Sequence, residues 1–233
     1  MIRFNLRLRT VSLFTIGQGV PDVLGADIVF SKKMKITAYV DGEAQTQYVV
    51  YVPGSSFKGA WRTATSRIAE SYGFKSCGEI EPKRISEAHR KLGRTCDVCM
   101  LFGQPVSPLS PFEASKVWVG DFEPVGETPT DIIARVSLDD KTQTAREGAL
   151  YSMEHVLPGA EFLGEVRVFD EAKNLLPLLM LGLAELRTGV LGRRSLVDIR
   201  LEDNGLLNGL VGSEWLPLLE GLRKWLWEGV VET

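Results

Sequence analysis

Four side chains between residues 77 and 99 are of the types that tetrahedral zinc takes as ligands: Cys77, His89, Cys96 and Cys99, in the order Cys-x11-His-x6-Cys-x2-Cys. Thiolates and an imidazole suit a borderline-soft cation, and Cys-x2-Cys is the tight knuckle that such sites use. Zinc held here would be structural, because residues 74–112 carry little periodic hydrophobic pattern of their own on which to fold. The alternative is three reduced thiols, with Cys99 packed in the core beside Met100, Leu101 and Phe102. A catalytic Cys–His pair would leave the Cys-x2-Cys spacing without a purpose.

A second stretch could bind an anion. Tyr51-Val52-Pro53-Gly54-Ser55-Ser56-Phe57-Lys58-Gly59-Ala60-Trp61-Arg62 joins an extended segment, a tight turn, a helix start and two cations. Ser55 or Ser56 is expected to cap the helix, whose free N–H groups and positive dipole end favour a phosphate, with Lys58 and Arg62 one turn apart on the same side. An ordinary capped helix after a turn is the other reading. Asp27 follows a glycine in Leu24-Gly25-Ala26-Asp27-Ile28 and reads by itself as turn chemistry, with Asp22 its nearest competitor. His155, beside Glu154 in a strand pattern, receives no role. No Ser–His–Asp constellation or Walker-type loop is present, which leaves hydrolase and nucleotide-triphosphatase readings without support.

The elements that must position these groups follow from periodicity. Ile2, Phe4, Leu6 and Leu8 alternate with polar residues, the period-two pattern of a half-buried strand, and a hairpin turn is expected around Asp41-Gly42. Phe57, Ala60, Trp61, Ala64, Ile68 and Tyr72 recur at helical spacing, closed by Gly73. Residues 115–122 read as a strand, 149–169 as two strands joined through Pro158-Gly159, Leu175 to Leu186 as an apolar helix, and Leu196 to Leu201 as a returning strand. The order strand, helix, strand, strand, helix, strand predicts an α+β fold with a ferredoxin-like (RRM-like) core. A single domain over 1–233 is expected, with insertions at about 13–50, 74–112 and 123–148. The tail from Trp215 to Trp227 reads as one amphipathic helix that packs on the core or on another subunit.

Composition sets further bounds. With 233 residues and 44% hydrophobic composition the chain can bury a full core. No run is apolar enough to cross a bilayer and the start lacks a signal-peptide core, so a cytoplasmic location without membrane contact is expected. A net charge of −3 argues against nucleic-acid binding by bulk electrostatics. Cations nevertheless cluster at Lys32-Lys33-Met34-Lys35, Lys83-Arg84, His89 to Arg94 and Arg193-Arg194, which leaves open either a basic groove on an acidic body or scattered solvated charge.

The stretch from Val52 to Arg62 resembles the "(I/V)PGSSxKGxxR" signature of RAMP proteins, the RNA-binding subunits of CRISPR effector complexes. Asp97 to Gly103 is similar to that family's C-x-LFG element, Ala114 to Asp121 to the strand after it, and Val136 to Ala145 with Leu150 to Phe162 to its "IDRxTGxA…LxxExVxxGxxF" block. Gly189 to Ser195 resembles its C-terminal glycine-rich loop, although Leu196-Val197-Asp198 follows where the family continues with glycines, and Asp140 stands where it commonly has Arg. The resemblance covers most of residues 1 to 202.

What the resemblance implies is the repeating backbone subunit of a type III (Csm or Cmr) complex. Such a subunit holds guide RNA near Gly54, Ser55, Ser56, Lys58 and Arg62, with Gly192, Arg193 and Arg194 as further phosphate contacts. By the same resemblance Asp27 matches an aspartate that cuts paired target RNA with Mg or Mn, residues 123–148 match the thumb hairpin, and the partners are guide RNA, target RNA, further copies of the chain and other type III subunits. The rivals are a non-catalytic or capping subunit of the same complex, a guide-RNA-processing endoribonuclease working through a histidine base, and a small-molecule enzyme on the same scaffold.

Overall fold

The computed structural model describes residues 1–19, 26–40, 43–105, 112–139, 141–142, 144–193 and 195–228, with 37, 40, 137, 138 and 146–149 described by backbone alone. In chain order the elements are β1 (Ile2–Thr10), β2 (Lys32–Val40), β3 (Glu43–Val50), α1 (Gly54–Ile68), α2 (Pro82–Leu92), α3 (Asp97–Phe102) and β4 (Val117–Val119). They continue with β5 (Glu123–Val125), β6 (Thr130–Leu138), β7 (Ala145–Val156), β8 (Glu161–Val168), α4 (Leu176–Thr188), β9 (Val197–Glu202) and α5 (Leu216–Leu222).

The central sheet runs β4-β8-β1-β9, with β5 also pairing on β8 and every pairing antiparallel. With β4 and β5 taken as one interrupted edge strand and α1 and α4 as the crossover helices, this is the ferredoxin-like order. Ile2, Phe4, Leu6 and Leu8 face the helices and are all 5% exposed or less. Burying a large apolar side chain stabilises by about 1.5–3 kcal/mol, so a one-residue slip of β1, which would turn all of them to solvent, is excluded. Helix α4 is buried on most of its surface. It meets α1 where Gly182 lies under Thr65, a Cβ at Gly182 falling 2.0 Å from Thr65 Oγ1. Trp61 Nε1 donates to Leu179 O at 3.0 Å across the same contact.

Several elements differ from the periodicity reading. The strand expected at 115–122 is split, because Phe122 leaves the edge of β8 to bridge Val52, giving β4 and β5 on either side. The two strands expected over 149–169 are β7 and β8, on either side of Pro158-Gly159; β7 starts earlier and pairs with β6, and β8 joins the core sheet. Alternation shows that Leu150 to Val156 is a strand but not which neighbour it pairs with. The tail helix is shorter than expected, since α5 ends at Leu222; Leu219 and Leu222 are buried in the body. The following turn is held by Asp198, whose Oδ2 accepts from Leu226 N and Trp227 N at 2.7 and 2.9 Å. Strands β2 and β3 pair with each other on either side of residues 41–42, the hairpin turn read from sequence, which lie outside the described residues.

Among the described residues no helix is long and apolar enough to cross a membrane.

Candidate functional site

At the start of α1 the structure replaces one expectation. Neither Ser55 nor Ser56 caps the helix; both are exposed, and Pro53, with φ −59° and ψ 128°, occupies the cap position without a side-chain hydrogen bond. Proline fixes φ near that value, and with its extended ψ it ends the strand side of the turn, so the cap falls two residues before Ser55. The anion that the helix dipole favours is the protein's own: Gly54 N donates to Asp121 Oδ1 at 3.0 Å. Gly54 is buried against the strand break, and a Cβ there would lie 2.4 Å from Val119 O, so glycine is demanded by packing. Lys58 Nζ donates to Ser115 Oγ at 2.6 Å, and burial followed by the nearby Arg62 charge pushes its pKa down. Arg62 donates to Gly103 O at 2.6 Å and to Cys99 Sγ at 3.2 Å.

That last contact joins the helix to the cysteine set. The ligand atoms of Cys77, His89, Cys96 and Cys99 all lie within 4.8 Å of one another, the only such group of three or more among the described residues. Helix α2 brings His89 in at its last turn, and α3 begins at the knuckle, where Cys96 Sγ accepts from Cys99 N. Asp97 fixes the knuckle from behind through Lys75 N at 2.7 Å and Arg94 at 2.8 Å. The four residues fit a metal on three grounds. Cys77 and Cys99 sulfurs are 3.7 Å apart, close to the separation of about 3.8 Å that tetrahedral Zn–S bonds of about 2.3 Å impose. Both ring nitrogens of His89 are buried and have no hydrogen-bond partner among the described residues. Hydrogen bonds from Cys96 and then Cys99 hold the Cys77 thiol far below its ordinary pKa, while those with Cys77 push Cys96 and Cys99 up. A cation bound here would favour the ionised form of all three thiols.

Asp27 lies elsewhere, on the segment that runs beside β7. Its Oδ2 accepts from Ser152 N at 2.7 Å and Ser152 Oγ at 2.9 Å, and Ile28 bridges Met153 in parallel. The backbone bond from Ser152, then its hydroxyl, holds the carboxyl below the usual aspartate range, so it is a fixed anion at neutral pH. Asp22 lies outside the described residues. Asp27 belongs to no group of three or more potential metal ligands among the described residues.

The glycine-rich loop comes to the other face of the same hairpin. Gly192 has φ 71° and a Cβ there would meet Thr15 O at 2.3 Å, so only glycine permits Arg193 N to donate to that carbonyl at 3.1 Å. The Arg193 guanidinium then lies 5.4 Å from the centre of the Tyr151 ring. Arg194 lies outside the described residues.

The sequence matches the RAMP superfamily over residues 9–196. The chain belongs to that superfamily. No curated protein matches it. The matched region takes in β1's end, both crossover helices and the glycine-rich loop, so the family features that sequence reading found separately now have places. In this RAMP protein they form two groups: the α1 start with the cysteine cluster, joined through Arg62, and Asp27 with the Gly192–Arg193 turn, joined through β7. Of the members of the second group that β6 and β7 contribute, sequence reading names Arg135 only as a cation of the 123–148 excursion, gives His155 no role and passes over Tyr151. The alternation of Tyr151, Met153 and His155 on β7 was legible; their meeting with Arg135 of β6 and the glycine-rich loop was not.

Proposed function

We propose that this RAMP protein is a guide-RNA-binding backbone subunit of a type III CRISPR interference complex. Family membership across residues 9–196 is the observation that carries the reading. Guide phosphates run past the exposed Ser55 and Ser56 and the half-buried Lys58, with Gly54 and Arg62 shaping that turn from within. Gly192, Arg193 and Arg194 supply the second contact. The β6–β7 hairpin is the thumb-like element over the guide–target pairing. Further copies of the chain and other type III subunits are its protein partners, and the cytoplasm its location. The cysteine cluster holds a structural zinc that fixes α2 and α3 to the core.

Asp27 is the residue of this chain placed to act on target RNA. A divalent cation, Mg or Mn, would be held by its carboxylate and would neutralise charge on the scissile phosphate. Ser152 keeps that carboxylate ionised and fixed in direction. The test is assembly of the chain with guide RNA and partner subunits, comparing wild type with Asp27→Ala on a complementary RNA. Binding kept and cutting lost is the expected result; cutting kept by Asp27→Ala refutes the assignment.

A second reading is a non-catalytic RNA-binding subunit. It is favoured by Asp27 belonging to no group of three or more potential metal ligands among the described residues. Binding without cutting by either form would select it.

A further inference from the structure

Where the N-terminus, the first turns of α1, β4 and the residue after β8 meet there is a cleft of about 280 Å³, lined among others by Met1, Lys58, Trp118, Arg167 and Phe169. Its one lysine differs from the rest of the chain's lysines in what surrounds its amine. Lys32, Lys33, Lys35, Lys116 and Lys173 each pair with a carboxylate, which holds them protonated. Among the described residues Lys58 has no such partner, and its Nζ reaches only the Ser115 hydroxyl, at 2.6 Å.

That hydroxyl supplies no negative charge. Ser115 Oγ gives its own hydrogen to Val117 O at 2.8 Å, so toward Lys58 it can only accept. A neutral amine meets this demand with one of its two hydrogens and keeps its lone pair. Burial, then the nearby Arg62 charge, lowers the Lys58 pKa and so enlarges the neutral share. An amine desolvated in an apolar pocket and set beside another cation is an activated nucleophile.

The walls of the cleft say what it would attack. Trp118 and Phe169 are 45% and 43% exposed, large rings left at the mouth with Met1 beside them. The Arg167 guanidinium lies 4.4 Å from the centre of the Trp118 ring, with Glu165 on its other side at 2.7 Å. Apolar walls suit a short hydrocarbon group, and the cations Arg62 and Arg167 draw in an anion. A small molecule that joins the two through an electrophilic carbon is an acyl phosphate.

We propose that Lys58 is a covalent acylation site, modified by a short-chain acyl phosphate that enters this cleft. The neutral Nζ attacks the carbonyl carbon; the new C–N bond forms as the C–O bond to phosphate breaks. Phosphate leaves with that electron pair and takes up the proton that nitrogen sheds. No oxidant or reductant is needed, and the product amide carries no charge, so the start of α1 loses a cation. The inference stands apart from the RNA-binding reading.

The test incubates the purified full chain with acetyl phosphate in mildly alkaline buffer and follows each lysine by quantitative mass spectrometry. Lys58 should be acetylated at least about fivefold faster than Lys83 and Lys91, which are exposed to solvent. Trp118→Ala with Phe169→Ala, both at exposed positions, should abolish that lead by opening the amine to water. Acetyl-coenzyme A, a far larger donor than the cleft admits, should give Lys58 no lead. Lys58 modified no faster than Lys83 and Lys91 overturns the proposal, as does a folded double variant that keeps the lead. An equal lead with acetyl-coenzyme A overturns the acyl phosphate as donor. Should the double variant not fold, the wild-type ranking with the two donors decides.

Discussion

Lys58 and Arg62 are neighbours along one helix; Arg135 and Arg193 come from opposite parts of the chain. The first pair sits in the stretch most like a phosphate cradle, yet its helix end already faces Asp121, and Arg62 is spent on Gly103 O and Cys99 Sγ. The second pair, one from a strand and one from the glycine-rich loop, lines an open cleft with its guanidinium groups exposed. Cations close in sequence are close in space whatever the fold does, so their proximity says little about what they bind. Cations that the fold brings together from afar, and leaves without counter-ions, say more.

The contrast makes the first region chiefly architectural, and the strongest way to break it is to remove the metal ligands. Cys96→Ser should lose bound metal, read by elemental analysis, and at least about 4 kcal/mol of stability, read by denaturant unfolding. A metal-free wild type would end the zinc assignment.

The second region depends on one glycine. Gly192→Ala forces a left-handed residue with a side chain into Thr15 O, costing about 3 kcal/mol and displacing Arg193, so thermal stability and RNA affinity should fall together.

Arg62→Ala sharpens the contrast from the other side. It removes two charge-assisted hydrogen bonds and should cost about 2 kcal/mol, while lowering RNA affinity less than Arg135→Gln and Arg193→Gln do. An affinity loss larger than theirs would restore the cradle as the main RNA contact.

Ser152→Ala is the mildest test. Asp27 titrates below the ordinary aspartate value, so the benefit of its bonds is complete above that value and is lost as the pH falls through the lower folded one. Without the Ser152 hydroxyl the carboxyl pKa, followed by NMR, should rise toward the ordinary value, and the acid limb of stability should move up with it. The backbone bond from Ser152 remains, so the rise is partial.

Much of the fold was legible. Apolar residues at every second position of β1 had to face one way, and the spacing of Phe57, Trp61 and Ala64 had to make a buried helical stripe, because burying these side chains outweighs any local alternative. The cysteine set was legible as well, since ligand type and the Cys-x2-Cys knuckle are local properties. The helix cap was misplaced onto Ser55 or Ser56 because the sequence shows which residues can cap, not that Asp121, from the strand break, would bond the first N–H.

What the sequence determined by itself was the order of core elements, the face each presents, a candidate metal-ligand set and the resemblance to RAMP proteins. Tertiary structure alone decided which strand β7 pairs with, that Arg62 serves the cysteine cluster, and that Thr15 ties His155 and Arg193 into one cleft. The division has one physical cause. Periodicity and ligand type act over a few residues, whereas strand pairing and counter-ion choice depend on groups that only the closed fold brings within hydrogen-bond reach.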